Sequence, residues 1–246
     1  MPIDLLLLRR HALARSLFAP TTLPQALQRL GFVQADPLRA PARAQDLTLR
    51  HRVDGYLAGD LERRYAELGI EEDFFVNYGF LGAPHHALMH PRKARVRWGK
   101  VRQARADAVL AFVRERGAVH PREVDAQFDH GKIVNWFGGS SNASTELLDA
   151  MHYRGLLRVA RRDAGTRVYA ARDPWPVPTD KVEIRRRMDA LVDVIVATYA
   201  PLPATTLGQL VQRLRLAAPQ WAADRPRALA HARQRLGHAR VDGIDW

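Results

Sequence analysis

The sequence contains no cysteine, which excludes disulfide bonds and thiolate ligands to a metal ion. It also contains no run close to the roughly 18 apolar residues that a membrane-spanning helix needs. The apolar run near the N-terminus covers only residues 5–8, and charged residues follow it rather than precede it, unlike a signal peptide. We therefore expect a cytoplasmic protein that does not associate with a membrane.

Sequence motifs that indicate a cofactor site or a catalytic nucleophile are missing as well. There is no glycine-rich phosphate-binding loop, no nucleophile elbow and no paired-metal signature. His85, His86 and His90 lie close together, but they lack a partner pattern of acidic residues or cysteines and are weak candidates for metal ligands. The acidic run at 71–73 is predicted to be a solvated turn. We predict neither a metal ion nor a cofactor.

Acidic residues are in the minority, because 26 Asp and Glu against 38 Lys and Arg give a formal net charge of +12. Such an excess indicates a polyanionic partner, most often nucleic acid, and the alternative is a solvated basic surface. The predominance of arginine suits recognition of phosphates and bases, although GC-rich coding would produce the same bias. With 47% apolar residues among 246, the chain is long enough for one large domain or two to three small ones.

Helix and turn signals divide the chain into three segments, 1–97, 98–175 and 176–246. The second segment shows three helical patterns followed by two alternating strands around the turn "DAGT". Helix, helix, helix and hairpin is the order of a winged helix. After the stiff linker "DPWPVPTD", the third segment repeats the three-helix order and ends where another wing would begin. We therefore predict a mainly α protein with small β wings, built from three tandem winged-helix units.

The first segment contains the stretch "GFVQADPLRAPARAQ" at 31–45. If residues 32–36 form a strand, Gln34 and Asp36 point to the same face. In one interpretation Asp36 caps the turn at Pro37 and Gln34 bonds to the backbone. In the other, the amide and the carboxylate are placed together for chemistry. The spacing alone leaves both interpretations open.

This stretch resembles a motif of the YcaQ/AlkZ-type DNA glycosylases, in which Gln, a hydrophobic residue and Asp precede an Arg-Ala pair. "LRHRVDGYL" resembles the family's downstream Arg and Tyr pattern, and "YRGLLRVARRDAGTRVYAARD" resembles its second wing. The resemblance implies tandem winged helices and a catalytic role for Gln34 and Asp36. Asp36 places the chain on the YcaQ side, because the AlkZ branch carries a second Gln there. The family closes with a small β-barrel, which we expect to be absent from this chain.

The resemblance further implies a monofunctional glycosylase for DNA repair. Such an enzyme would hydrolyse the N-glycosidic bond of alkylated purines, with N7-alkylguanine as the first candidate and interstrand crosslinks as the bulkiest. The net charge of +12 predicts that the protein binds duplex DNA with little sequence preference. We expect it to be a monomer and to associate with the nucleoid. The candidates for DNA contacts are Arg39, Arg43, Arg50, Lys93, Arg95, Arg97, Lys100, Arg161, Arg162 and Arg167.

Two other functions remain compatible with the sequence. A non-catalytic winged-helix DNA-binding protein, such as a regulator, would keep the basic wings and need no role for Gln34 or Asp36. A scaffold would use the winged helices to bind other proteins. DNA binding distinguishes the scaffold from the other two, and formation of abasic sites distinguishes the enzyme from the regulator.

Overall fold

The structure is a computed structural model, and it describes residues 3–36, 38, 40–93, 96–128, 131–134 and 140–246. These residues are mainly α-helical with small antiparallel sheets, and no set of the described strands closes into a barrel. The predicted fold class, mainly α with small β wings, is therefore confirmed. The assignment of single units to the winged-helix class stays an interpretation.

Local sequence signals explain where several of the helices begin and end. Asp180 caps the N-terminus of α9 by accepting a hydrogen bond from the Glu183 N–H at 2.7 Å. Gly31 ends α2 with φ at 72°, a backbone conformation that favours glycine. The described helices are α1 (Leu5–Ser16), α2 (Leu23–Leu30), α3 (Ala44–Leu49), α4 (Asp60–Arg63), α5 (Ala83–Ala87), α6 (Lys100–Arg116), α7 (Pro121–Gln127), α8 (Ala143–Tyr153), α9 (Lys181–Tyr199), α10 (Ala204–Ala217) and α11 (Arg225–Arg235).

The strands form small sheets with antiparallel pairing. Their orders are β1-β3-β2, β4-β8-β7, β5-β6 and β9-β10. The described strands are β1 (Phe32–Gln34), β2 (Ile70–Phe74), β3 (Tyr78–Gly82), β4 (Ala118–Val119), β5 (Lys132–Val134), β6 (Ser140–Asn142), β7 (Leu157–Asp163), β8 (Thr166–Ala171), β9 (Arg240–Val241) and β10 (Ile244–Asp245).

The chain forms two compact units. The first unit combines Met1–Leu61, Leu68–Met89 and Pro178–Trp246, and the second combines Glu62–Glu67 with His90–Val177. Most of the first and third segments of the sequence therefore fold together. The division into three winged-helix repeats stays a prediction.

In the first unit, the sheet that carries β1 packs against the C-terminal helices. Phe32 of β1 and Phe75 and Val76 of the β2–β3 turn belong to one buried cluster with apolar side chains of α9, α10 and α11. Thr198 of α9 also donates a hydrogen bond to the Leu30 carbonyl at 3.1 Å. Because burial of apolar surface is the main stabilising contribution to folding, the helices at the far end of the chain fix the position of β1.

The close approach of β1 to β3 depends on Gly79. This glycine lies opposite Gln34 in the register of the two strands. A Cβ atom at Gly79 would lie 2.4 Å from the Val33 carbonyl oxygen and 2.6 Å from the Phe32 ring. Any side chain at this position would therefore push β1 away from the sheet.

The second unit contains the predicted order of helix, helix, helix and hairpin, in α6, α7, α8 and the β7–β8 pair. Ala164 and Gly165 make the turn between the strands with φ of 49° and 87°. Strand β4 adds a third strand beside β8. The β5–β6 hairpin between α7 and α8 was not predicted. The C-terminal helices α9, α10 and α11 are followed by the β9–β10 hairpin, as the sequence indicates.

The prediction of a solvated turn at 71–73 is wrong, because these residues are buried on β2. The Tyr78 hydroxyl donates to Glu72 Oε1 at 2.6 Å, and His86 Nε2 lies 3.0 Å from Asp73 Oδ2. Partners on β3 and α5 therefore replace the water that the acidic side chains would bind in a turn. The sequence of this run does not indicate that its acidic side chains are buried, because each of their partners lies on a different element.

Candidate active site

Strand β1 brings Gln34 to the surface of the first unit. The side chain of Gln34 is exposed, and Phe32 and Val33 before it are buried. The strand ends at Gln34 rather than at Asp36, but the pairing continues by one hydrogen bond from the Ala35 N–H to the Tyr78 carbonyl at 3.0 Å. The predicted strand is thus two residues too long, and Asp36 lies in the connection that follows it.

Asp36 is half-buried and is held at both its backbone and its side chain. Its Oδ1 accepts a hydrogen bond from the Leu38 N–H at 2.9 Å, which is the geometry of an Asx turn. Its own N–H donates to Oε1 of Gln45, a buried residue of α3, at 3.2 Å. The turn-capping interpretation of Asp36 therefore has a physical basis. The turn cap uses only part of the hydrogen-bonding capacity of the carboxylate, because its two oxygens offer about four acceptor positions.

The side chain of Gln34 is held by the turn between β2 and β3. Asn77 Nδ2 donates to Gln34 Oε1 at 3.1 Å. Arg213 of α10 in turn donates to Asn77 Oδ1 at 2.9 Å. Sequence reasoning missed both residues, since no local pattern connects them with Gln34. It also missed Gln45.

Helix α3, which supports Asp36 through Gln45, is itself fixed by a buried carboxylate. Asp46 Oδ1 accepts hydrogen bonds from the Tyr56 hydroxyl at 2.8 Å and from the Gly59 N–H at 2.9 Å. Burial and the hydrogen bond to Asp46 raise the pKa of Tyr56 well above its usual range. Tyr56, part of the stretch that resembles the family's Arg and Tyr pattern, therefore acts as a neutral structural donor.

The predicted DNA contacts near the motif and in the 90–105 segment differ in accessibility. Arg43 is half-buried at the residue before α3, and Arg50 is exposed after its last turn. The exposed basic residues of the second unit in this segment include Lys93, Arg97 and Lys100. Arg39 and Arg95 lie outside the described residues.

Not every basic side chain of the 90–105 segment is free to contact a phosphate. Arg92 is buried, donates to the Tyr153 carbonyl at 2.8 Å and stacks over the Tyr153 ring at 4.4 Å. Arg102 forms a two-pronged ion pair with Glu146 at 2.6 and 2.8 Å. Arg92 therefore stabilises the packing of the second unit, whereas Arg102 is engaged in an ion pair at the surface, which contributes little to stability.

The arginines of the β7–β8 hairpin also divide into two groups. Arg161 is 53% exposed and pairs with Asp163 at 3.1 Å. Arg162 is only 12% exposed, lies 3.6 Å from Glu62, and donates to the Gly165 carbonyl at 2.8 Å. Arg167 lies 3.0 Å from Asp149. Arg161 is thus the hairpin arginine that is best placed to reach a phosphate, and Arg162 is held inside its own unit.

Comparison with known protein families assigns the chain to one of them. A family model described as DNA glycosylase AlkZ-like matches residues 27–245. The chain therefore belongs to the AlkZ-like family of DNA glycosylases, which are hydrolases of N-glycosyl bonds in DNA repair and act on DNA. No curated protein and no solved structure matches the chain. In the part of the chain that the structure describes, no helix is long and apolar enough to cross a membrane.

Proposed function

We propose that this glycosylase is monofunctional and hydrolyses the N-glycosidic bond of alkylated purines, first of all N7-alkylguanine, with Asp36 and Gln34 as its catalytic residues. The observation that carries the proposal is the placement of this pair. Gln34 ends β1 with an exposed side chain, and Asp36 follows two residues later with hydrogen bonds to the Leu38 N–H and to Gln45 Oε1. An accessible amide and a positioned carboxylate two residues apart suit the chemistry of this bond.

Alkylation at N7 gives the purine a positive charge and makes it a good leaving group. A general acid is therefore not essential. The transition state instead needs stabilisation of an oxocarbenium-like sugar and a correctly oriented water molecule. These are tasks for negative charge and for positioned polar groups.

Asp36 supplies the charge in this mechanism. Its carboxylate faces the developing sugar cation and accepts the proton of the attacking water. Gln34 orients the water, because an amide can donate and accept hydrogen bonds without carrying charge. The exposed position of Gln34 also suits an open cleft. A bulky adduct or an interstrand crosslink cannot enter the tight pocket into which many glycosylases extrude a base.

We propose further that the protein binds duplex DNA as a monomer with little sequence preference and associates with the nucleoid. The net charge of +12 supports this, together with the exposed cations of the second unit, which include Lys93, Arg97, Lys100 and Arg161. With about six phosphate contacts, the slope of log affinity against log salt concentration should be about −5. Binding that does not depend on salt would contradict this proposal.

The direct test is single-turnover incubation with duplex DNA that carries one N7-methylguanine, followed by alkali to cleave abasic sites. We expect strand cleavage at the lesion only after alkali, because a monofunctional glycosylase leaves the sugar-phosphate backbone intact. A duplex with unmodified guanine is the substrate control. Salt-dependent binding without any abasic site would favour the non-catalytic DNA-binding protein over this substrate.

A further inference from the structure

We infer that Asn77 and Arg213 are positioning residues that fix the orientation of the Gln34 amide. The inference rests on the proposed function of Gln34 and deepens it, because it assigns the amide one face toward the protein and one toward the substrate. Three polar groups carry it, from β1, from the β2–β3 turn and from α10, and all of them belong to the first unit.

The contacts form a chain from a cation to an amide. Arg213 Nη1 donates to Asn77 Oδ1 at 2.9 Å, and Asn77 Nδ2 donates to Gln34 Oε1 at 3.1 Å. Both distances are those of ordinary hydrogen bonds. Arg213 lies 136 residues after Asn77, and Asn77 lies 43 residues after Gln34, so folding alone brings the three together.

The chemistry of the donors determines the direction of the whole chain. A guanidinium has only donors, so the atom of Asn77 that faces Arg213 has to be its oxygen. The Asn77 NH2 group then faces Gln34, and the atom of Gln34 that receives it has to be Oε1. Amide orientation in Asn and Gln is assigned from such networks, and here the cation at one end removes the ambiguity.

The turn that carries Asn77 is rigid. The two residues before it, Phe75 and Val76, are 0% and 1% exposed in the core that the sheet shares with α9–α11. The Phe75 N–H also donates to the Asn77 carbonyl at 2.8 Å. Arg213 lies on α10 between the buried residues Val211 and Leu214. The backbone positions of Asn77 and Arg213 are therefore anchored by the core, while the side chain of Arg213 itself is exposed.

The relay, from Arg213 through Asn77 to Gln34, determines which atom of the Gln34 amide faces the substrate. With one lone pair of Oε1 taken by Asn77, Nε2 points away from the relay and is available as a donor to the water oxygen. If the amide rotated by half a turn, its oxygen would take that place, and the water would face two acceptors, Gln34 and Asp36. A water that donates to the carboxylate and accepts from Nε2 is oriented, and the rotated amide loses this arrangement.

The first test reads the amide directly in the free protein and needs no substrate. Gln34→Ala identifies the side-chain NH2 signals of Gln34 in a nitrogen-15 NMR spectrum. Arg213→Met should shift these signals, because it removes the donor that orients Asn77. Arg215→Met is the matched control, since it removes an exposed arginine from the same helix without touching Asn77. Unchanged side-chain NH2 signals of Gln34 in Arg213→Met, compared with the wild type, would overturn the inference that Arg213 and Asn77 orient Gln34.

The second test is a double-mutant cycle between Asn77→Asp and Gln34→Ala. An aspartate at 77 still accepts from Arg213 but cannot donate to Gln34, so it should rotate the amide and leave the fold intact. We expect the single-turnover rate to fall about tenfold with unchanged melting temperature and DNA affinity, from the loss of orientation. In the Gln34→Ala background the same change should have no further effect.

The outcomes separate the two proposals. Additive effects in the cycle, or a loss of rate that follows a loss of melting temperature, would assign Asn77 a purely structural role and overturn the inference. If wild type releases no base from any alkylated duplex, the proposed function fails. The NMR comparison of Arg213→Met with Arg215→Met then still decides whether the relay orients Gln34.

Discussion

Replacing Asp36 by Asn separates the two roles that the structure permits for this residue. The Asx turn uses Oδ1 as an acceptor for the Leu38 N–H at 2.9 Å. An asparagine keeps this acceptor, because its side-chain carbonyl caps turns as well as a carboxylate does. The substitution therefore removes the negative charge from the site and leaves the connection after β1 in place.

The size of the effect follows from the charge. A carboxylate about 4 Å from a developing sugar cation, at an effective dielectric constant near 20, contributes roughly 4 kcal/mol. Asp36 is half-buried, so solvent screens part of this interaction. We therefore expect the rate of base release to fall about a hundred- to a thousandfold. Gln34→Ala should cost less, about tenfold to a hundredfold, because it removes orientation and no charge.

The assay is single-turnover release of N7-methylguanine at saturating protein, with thermal melting and DNA affinity measured for each variant. The Asp36→Asn variant should melt and bind DNA like the wild type. Excision at the wild-type rate would refute the catalytic role of Asp36 and leave only the turn cap. A large loss of melting temperature would show that the carboxylate holds the connection in a way that an amide cannot replace.

Three further predictions concern the surface and the core. Arg161→Ala should weaken DNA binding and reduce the slope of log affinity against log salt concentration by about 1. Arg162→Ala should lower the melting temperature without changing that slope, and DNA binding measured at several salt concentrations distinguishes the two variants. Gly79→Ala should lower the free energy of unfolding in denaturant titrations by more than about 2 kcal/mol, because its Cβ would meet the Val33 carbonyl oxygen at 2.4 Å. Hydrogen bonds from Arg186 and Arg187 lower the pKa of Glu183 from 4.5 to about 2. The stability that results is present above pH 4.5 and is lost as the pH falls toward 2. Glu183→Gln should therefore make the melting temperature less dependent on pH in that window.

The second unit was the most predictable part of the fold. Its helices have regular apolar spacing and end at glycines such as Gly117 and Gly155, and its hairpin alternates around a short turn. The solvated turn predicted at 71–73 was wrong, because β2 buries Glu72 and Asp73 against Tyr78 and His86. Burial of charged side chains depends on partners that hydrophobic periodicity does not reveal.

The candidate site was predictable only in its central pair. Gln34 and Asp36 stand out through their resemblance to a family motif, and the family assignment over residues 27–245 agrees with that resemblance. Asn77 and Arg213 have no motif of their own. Their contacts arise when a turn and a helix meet far from each other in sequence, so only the folded chain brings them to notice.

The core shared by β1 and the C-terminal helices has a consequence for synthesis on the ribosome. When the chain has emerged only as far as the proline-rich linker near residue 177, Phe32, Phe75 and Val76 have no helices to cover them. A nascent chain of this length exposes an apolar surface of the kind that chaperones bind and that promotes aggregation. The second unit, which is complete by then, can fold first. Strand β1, which carries Gln34, therefore reaches its final packing only after α9 and α10 have left the ribosome.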